Sequence, residues 1–238
     1  MTNGDSGLLK VMGIFAHPDD PEFFCGGTFA KWAAEGRHIT FVLATSGDKG
    51  SGDVDITSGQ LVSIRETEER AAAARLGVED VIFLRYPDGE LRVSLDLRRQ
   101  LTRLIRLKKP DIVVTNDPTA RWYGVNYINH PDHRAIGDAA LDAVFPTARD
   151  HLSFPELYRW EGLEPHKVKL VYLCGTHTPE TKVDVTDYVE VKIAALREHK
   201  SQIADMEAMA KRQRENMDSE FASDGRRYTE SFRVFHLQ

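Results

Sequence analysis

Five short β-rich runs alternate with helical patterns along the chain, and nothing else in the sequence constrains the fold as strongly. The runs are Val11–Ala16, Ile39–Thr45, Val81–Tyr86, Ile112–Asn116 and Lys169–Cys174. Most are near-continuous apolar stretches, which suits strands covered on both faces of a parallel sheet. Between them the pattern turns helical. Thr28–Glu35 reads as a short helix stopped by Gly36, and Leu61–Leu76 as a helix ended by Gly77. Ser94–Lys109 starts on an N-capping serine and stops before Pro110, with Leu97, Leu101, Leu104 and Ile105 on one stripe. Asp132–Val144 follows, and a long polar helix is predicted from about Val189 to Met217. This order predicts an α/β fold: a Rossmann-like, doubly wound, mostly parallel sheet with right-handed crossovers. Such sheets bind ligands beyond the carboxyl ends of their strands. The long segments Gly47–Gln60 and Asp117–Asn129 follow strands and fall there.

A chain of 238 residues without an internal repeat fits one domain, 1–238, with residues 1–9 as a flexible start. The net charge of −6 argues against a nucleic-acid binder, which would carry a basic excess. Cys25 and Cys174 lie far apart in sequence, so neither a disulfide framework nor a thiolate zinc site is expected. No apolar stretch approaches a membrane span, and the polar start carries no signal peptide, so a cytoplasmic protein is expected.

The first run leads straight into Ala16-His17-Pro18-Asp19-Asp20-Pro21-Glu22. A dinucleotide-binding fold would place G-x-G-x-x-G here; a histidine and carboxylates would instead repel phosphate unless a cation intervened. On this segment alone, a turn-capping Asp pair beside a satisfied histidine explains the residues equally well. The second segment shifts that balance. After the fourth run comes Asn129-His130-Pro131-Asp132-His133-Arg134, again at the carboxyl side of the sheet. Its own bland reading is a helix-capping Asp132 beside two surface histidines, but two His-Pro-Asp segments on one sheet edge are hard to leave unconnected. His17, Asp20 and His133 together offer two imidazoles and a carboxylate, the set that suits a catalytic Zn²⁺ with a position open to water. Fe²⁺ could occupy a His₂Asp set as well. Asp19 is then free to act as general base, His130 as acid or electrophile, and Asp132 as the carboxylate that orients His130.

These residues make the chain resemble the LmbE-like, or PIG-L-like, metal-dependent N-deacetylases. The resemblance is carried by His17-Pro18-Asp19-Asp20 with Gly26-Gly27-Thr28, and by His130-Pro131-Asp132-His133. Arg65-Glu66-x-Glu68, Tyr86-Pro87-Asp88-Gly89, Ala195-Leu196-x-x-His199-x-Ser201-Gln202 and Tyr228-x-Glu230-x-Phe232 extend it over most of the chain. It implies removal of the N-acetyl group from an N-acetylglucosamine-type sugar or its conjugate by a metal-activated water. His17, Asp20 and His133 would hold the metal, Asp19 would be the base, and His130, tuned by Asp132, would polarise the carbonyl or protonate the amine. Arg65 and Asp88 match positions that the family turns toward the sugar. Some members carry a tyrosine two residues before the first histidine of the second motif, to help hold the oxyanion; here that residue is Ile128. Relatives are often homo-oligomers, hexamers included, with Phe145–Val168 and the final helix as this chain's candidate contacts.

Three other functions compete, one of them a non-catalytic zinc-storing or structural site, although structural sites usually close all four positions and favour cysteine. An amidase acting on a thiol–sugar conjugate would use the same metal centre with a different pocket. A receiver-type signalling domain also carries an acidic pair after its first strand, but Cys174-Gly175-Thr176-His177 offers no lysine, and the second His-Pro-Asp segment would go unexplained. Of the remaining histidines, His38, His151, His166 and His236 read as surface or structural, His177 as a minor candidate for a substrate contact, and His199 as a packing or interface residue.

Overall fold

The computed structural model describes residues 10–215 and 228–238. The flexible start proposed for 1–9 and the end of the helix predicted to Met217 lie outside the described residues. In chain order the elements are β1 (Lys10–Phe15), α1 (Asp20–Ala34), β2 (His38–Thr45), α2 (Ser58–Arg75), β3 (Asp80–Tyr86), α3 (Leu95–Lys108) and β4 (Ile112–Asn116). A small hairpin, β5 (Trp122–Tyr123) and β6 (Tyr127–Ile128), precedes α4 (Pro131–Val144), and α5 (Pro155–Arg159) leads to β7 (Leu170–Cys174). Then come β8 (Thr181–Asp184), α6 (Val189–Leu196), α7 (Met206–Glu215) and β9 (Thr229–His236).

The main sheet has the order β3-β2-β1-β4-β7-β9-β8. Its first five strands are parallel, and β9 runs antiparallel to both β7 and β8. From β1 the chain winds outward through β2 and β3, then crosses to β4 on the other side. The strand order therefore reverses between β1 and β4, and the crevice at their carboxyl ends is where an open α/β sheet receives a ligand. Alternate residues of β1 feed opposite faces, which is why the strand is apolar throughout. Val11 and Phe15 pack with Phe29, Phe41 and Leu76 beneath α1 and α2, while Met12 and Ile14 pack with Leu97, Leu101, Ile105 and Ile136 beneath α3 and α4. The five predicted strands fall within a residue of those observed. The N-cap on Ser94 is present, its side chain accepting from the Leu97 amide, and α2 starts on a capping box between Thr57 and Gln60.

Three expectations needed correction. The first helix begins at Asp20 rather than Thr28: helix lies on both sides of a kink, and Gly26-Gly27 just past it forms a close contact surface. A Cβ on Gly27 would lie 2.7 Å from the Val185 side chain. This helix kinks at Cys25 (φ −140°), and beyond the kink the Gly27 and Thr28 amides bond the Glu230 carboxylate at 3.0 and 2.7 Å. The long polar helix divides into α6 and α7, and the largely exposed turn between them buries only His199. Third, β8 and β9 were not foreseen; β9 is partly exposed and turns Glu230 and Phe232 inward, so it shows no continuous apolar run. Cys25 and Cys174, distant in sequence, are both buried and free and belong to one core cluster. Among the described residues no helix is long and apolar enough to cross a membrane.

Candidate metal centre

β1 delivers His17 to Asp20 at its carboxyl end, and β4 delivers Asn129 to His133 by way of the β5–β6 hairpin. Since β1 and β4 are neighbours, the two His-Pro-Asp segments meet. The Asp20 carboxylate stands between the imidazoles, Oδ1 at 3.0 Å from His133 Nε2 and Oδ2 at 3.5 Å from His17 Nδ1. The outer ring nitrogens are each held by an acceptor. His133 Nδ1 is 2.9 Å from Asn129 Oδ1, and His17 Nε2 is 3.0 Å from Asp88 Oδ1 and 3.4 Å from Asp132 Oδ2. Inner nitrogens facing a shared carboxylate, with outer nitrogens fixed from behind, is the arrangement that orients histidines on a metal.

His17, Asp20 and His133 offer donor atoms within 4.8 Å of one another, and all three are buried. A second set, His17, Asp88, His130 and Asp132, shares His17 with the first. Charge points the same way. Burial lowers the His17 pKa, but hydrogen bonds to Asp132, Asp20 and Asp88 outweigh it and raise His17 well above its ordinary value. Burial likewise raises Asp20, yet His133 and His17 hold it well below the carboxylate range. So much negative charge gathered around two imidazoles calls for a cation, and the residues fit one.

Asp19 precedes α1 with φ 100°, its side chain 16% exposed. Arg65 Nη2 donates to its Oδ2 at 3.3 Å and to the Pro18 carbonyl at 2.7 Å. Burial and the neighbouring Asp20 raise the Asp19 pKa to about 6, against the pull of Arg65. Arg65 reaches this position across Gly47 (φ 60°), where a Cβ would lie 2.1 Å from its Nη1. No side chain but hydrogen fits there.

His130 caps α4: its Nδ1 accepts from the Asp132 amide at 3.2 Å. A backbone N–H can only donate, so the ring proton of neutral His130 lies on Nε2. Burial, and then the charge of His17, lower its pKa. Its ring meets that of His17 edge-on at 4.6 Å. Asp132 is fully buried, and its carboxylate accepts from the Gly89 and Leu91 amides besides facing His17, so that carboxylate acts on His130 as a charge while only the Asp132 amide bonds it.

All eight residues singled out from the sequence fall in this one cluster. Arg65 is 4% exposed and turned onto Pro18 and Asp19; Asp88 is 8% exposed with Oδ1 on His17. Ile128 is 84% exposed on the hairpin, and the Tyr123 hydroxyl is bonded to the Gly175 carbonyl at 2.6 Å. His177 is exposed, its ring 5.5 Å from that of Tyr123. Four neighbours of the cluster were not singled out: Asn129 behind His133, and Glu22, Glu69 and His199, which form a buried group below Asp19. Their signals were present, Asn129 opening the second motif and Glu69 standing one helical turn after Arg65.

Known proteins resemble this chain over most of its length. A diacetylchitobiose deacetylase of Thermococcus kodakarensis is 34% identical over 195 residues, spanning 82% of this chain and 70% of that protein. A probable N-acetyl-α-D-glucosaminyl L-malate deacetylase of Bacillus anthracis is 28% identical, spanning 87% of each. The solved structure of the N,N'-diacetylchitobiose deacetylase from Pyrococcus horikoshii, complexed with an inhibitor, superposes with a TM-score of 0.88 at 33% identity, covering 99% of this chain and 86% of that one. The family model described as PIG-L, GlcNAc-PI de-N-acetylase, matches residues 12–144, more than half of the sequence, and the chain therefore belongs to the PIG-L family.

Proposed function

We propose that this protein is a metal-dependent hydrolase that removes the N-acetyl group from an N-acetylglucosamine-type amino sugar or its conjugate. The observation that carries this reading is the convergence of His17 Nδ1 and His133 Nε2 on Asp20, with the Asp19 carboxyl beside them. The relatives named above act on N-acetylated amino sugars, which supports that substrate class. Zn²⁺ is the proposed ion, held by His17, Asp20 and His133, with Fe²⁺ as the second candidate; when bound it would supply a Lewis acid and a water acidified to a pKa of about 7.

The residues of the chain divide the remaining work. Asp19, with a pKa of about 6, is ionised at neutral pH and close enough to neutrality to take a proton from the attacking water and return it later. Arg65 holds one of its oxygens. His130, neutral and carrying its proton on Nε2, donates a hydrogen bond to the oxyanion as the carbonyl becomes tetrahedral; such a donor is worth roughly 3 kcal/mol in a transition state. That leaves the proton gained by Asp19 as the one delivered to the departing amine. Asp88 and Asp132 fix His17 from behind, as Asn129 fixes His133.

The whole chain is proposed to act as one deacetylase domain. Free, buried cysteines suit a reducing compartment, and the cytoplasm is the proposed location. Phe145, Leu152 and Trp160 are 57%, 66% and 84% exposed in the segment before β7, which supports a homo-oligomer built through that segment. Metal analysis combined with acetate release from a panel of N-acetylglucosamine derivatives tests the function. Metal-loaded protein that releases acetate from none of them would overturn it, and cleavage of a thiol–sugar amide alone would favour the amidase.

A further inference from the structure

Asp19 has φ 100°, a conformation that a non-glycine residue keeps only where its surroundings impose it. The restraint comes from α2. Arg65 Nη2 donates to the Pro18 carbonyl oxygen at 2.7 Å, and Glu69 Oε2 accepts from the Asp19 amide at 3.0 Å. That oxygen and that N–H belong to the same peptide group. The Pro18–Asp19 peptide is therefore gripped at both ends by side chains one turn apart on a single helix face. Behind Glu69 stand Glu22 of α1 and His199 from the turn after α6. His199 Nε2 lies 3.4 Å from Glu22 Oε2 and 3.9 Å from Glu69 Oε2, and all three residues are fully buried. Burying three ionisable side chains away from water is costly, and none of them takes part in the chemistry described above.

We propose that Glu69, backed by Glu22 and His199, is a positioning residue that fixes the Pro18–Asp19 peptide and so aims the Asp19 carboxylate at the attacking water. This rests on Asp19 being the base. Glu69 touches no reacting atom and acts through Asp19. A core role would be met by any side chain of similar volume, whereas this role needs the acceptor oxygen.

Two variants separate these roles in the metal-loaded, full-length protein. Glu69→Met keeps the volume and removes the acceptor; Glu69→Gln keeps an acceptor oxygen. For Glu69→Met, kcat is expected to fall roughly 10- to 100-fold, the scale of a 1 Å misplacement, with KM and bound metal nearly unchanged. Exchange of the Asp19 amide, followed by NMR, should accelerate by about tenfold or more, once its hydrogen bond is gone, while β1 amides keep their rates. Glu69→Gln should recover most of the lost kcat. In an Asp19→Asn background, Glu69→Met should cost nothing further, because its effect passes through Asp19. Wild-type kcat and Asp19 exchange in Glu69→Met would overturn the proposal, as would an additive loss in the Asp19→Asn background. Should Glu69→Met fail to fold, His199→Gln takes its place: kcat falls with KM held and the Asp19 amide exchanges faster, and wild-type behaviour in both overturns the proposal. Absence of acetate release by the wild type would defeat the deacetylase reading alone, since the amide-exchange comparison still decides whether Glu69 holds the peptide.

Discussion

Asn129→Ala separates what one buried side chain does for the metal from what it does for the fold. Asn129 is 2% exposed and makes two hydrogen bonds: Oδ1 to His133 Nδ1 at 2.9 Å, and Nδ2 to the Ala120 carbonyl at 2.7 Å. Losing both costs the metal-free protein about 2 kcal/mol, which lowers its melting temperature by roughly 4–8 °C. Losing the first frees the His133 ring and should weaken metal binding roughly 10- to 100-fold, or about 1.4–2.7 kcal/mol. At saturating metal the stabilisation by the ion shrinks by the same amount, so the rise in Tm on adding metal should be smaller by roughly 3–10 °C. Melts of chelator-treated and Zn²⁺-loaded protein, with affinity measured by chelator competition, read the two effects separately. Asn129→Asp completes the comparison, since it keeps an acceptor for His133 but loses the donor to Ala120. It should bind metal at least as well as the wild type yet melt lower when metal-free. Equal metal affinity and an equal Tm increment in Asn129→Ala would refute the assignment of His133 as a ligand oriented by Asn129.

Other outcomes follow from the same geometry. Asp19→Asn should keep its metal and lose roughly 10²- to 10⁴-fold in kcat; full turnover with metal bound would rule Asp19 out as the base. His130→Phe removes the Nε2 donor and should cost roughly 10²- to 10³-fold in kcat with metal content unchanged, checked by steady-state kinetics and metal analysis. Asp19 works only when ionised, so kcat/KM should be lost as the pH falls through the Asp19 pKa, about 6 without the ion and lower with a dication held by Asp20. Arg65 holds the Asp19 pKa down, so Arg65→Met should move this acid limb upward, and a limb that stays in place would show that another group sets it.

The fold was legible wherever a strand turns apolar side chains to both faces of the sheet, because such a strand writes a near-unbroken apolar run: β1, β2, β4 and β7, and the half-buried edge strand β3, were all found. β8 and β9 escaped because strands with an exposed face have no such run, and β9 spends its inward positions on Glu230 and Phe232. The proposed metal ligands were legible because each motif is contiguous in sequence and lies at the carboxyl side of the sheet. The support around them was not, since it is assembled across long sequence distances. Nothing in Asp88 or Asp132 alone reveals that both face the same nitrogen of His17, and the polar stretch around His199 gives no local reason to bury it. That burial is decided by Glu22 and Glu69 on two other helices.

The bond from Glu230 to the kink in α1 also sets an order of assembly during synthesis. Gly27 and Glu230 are 203 residues apart, so the helix that carries Asp20 leaves the ribosome long before the carboxylate that pairs its freed amides, and before Lys192, which bonds both that carboxylate and the Phe23 carbonyl. A nascent chain holds His17, Asp20 and then His133 while the helix bearing Asp20 still has unpaired backbone at its bend. The proposed ligands can be collected before they are settled, since β9, which follows all of them in the chain, completes their support.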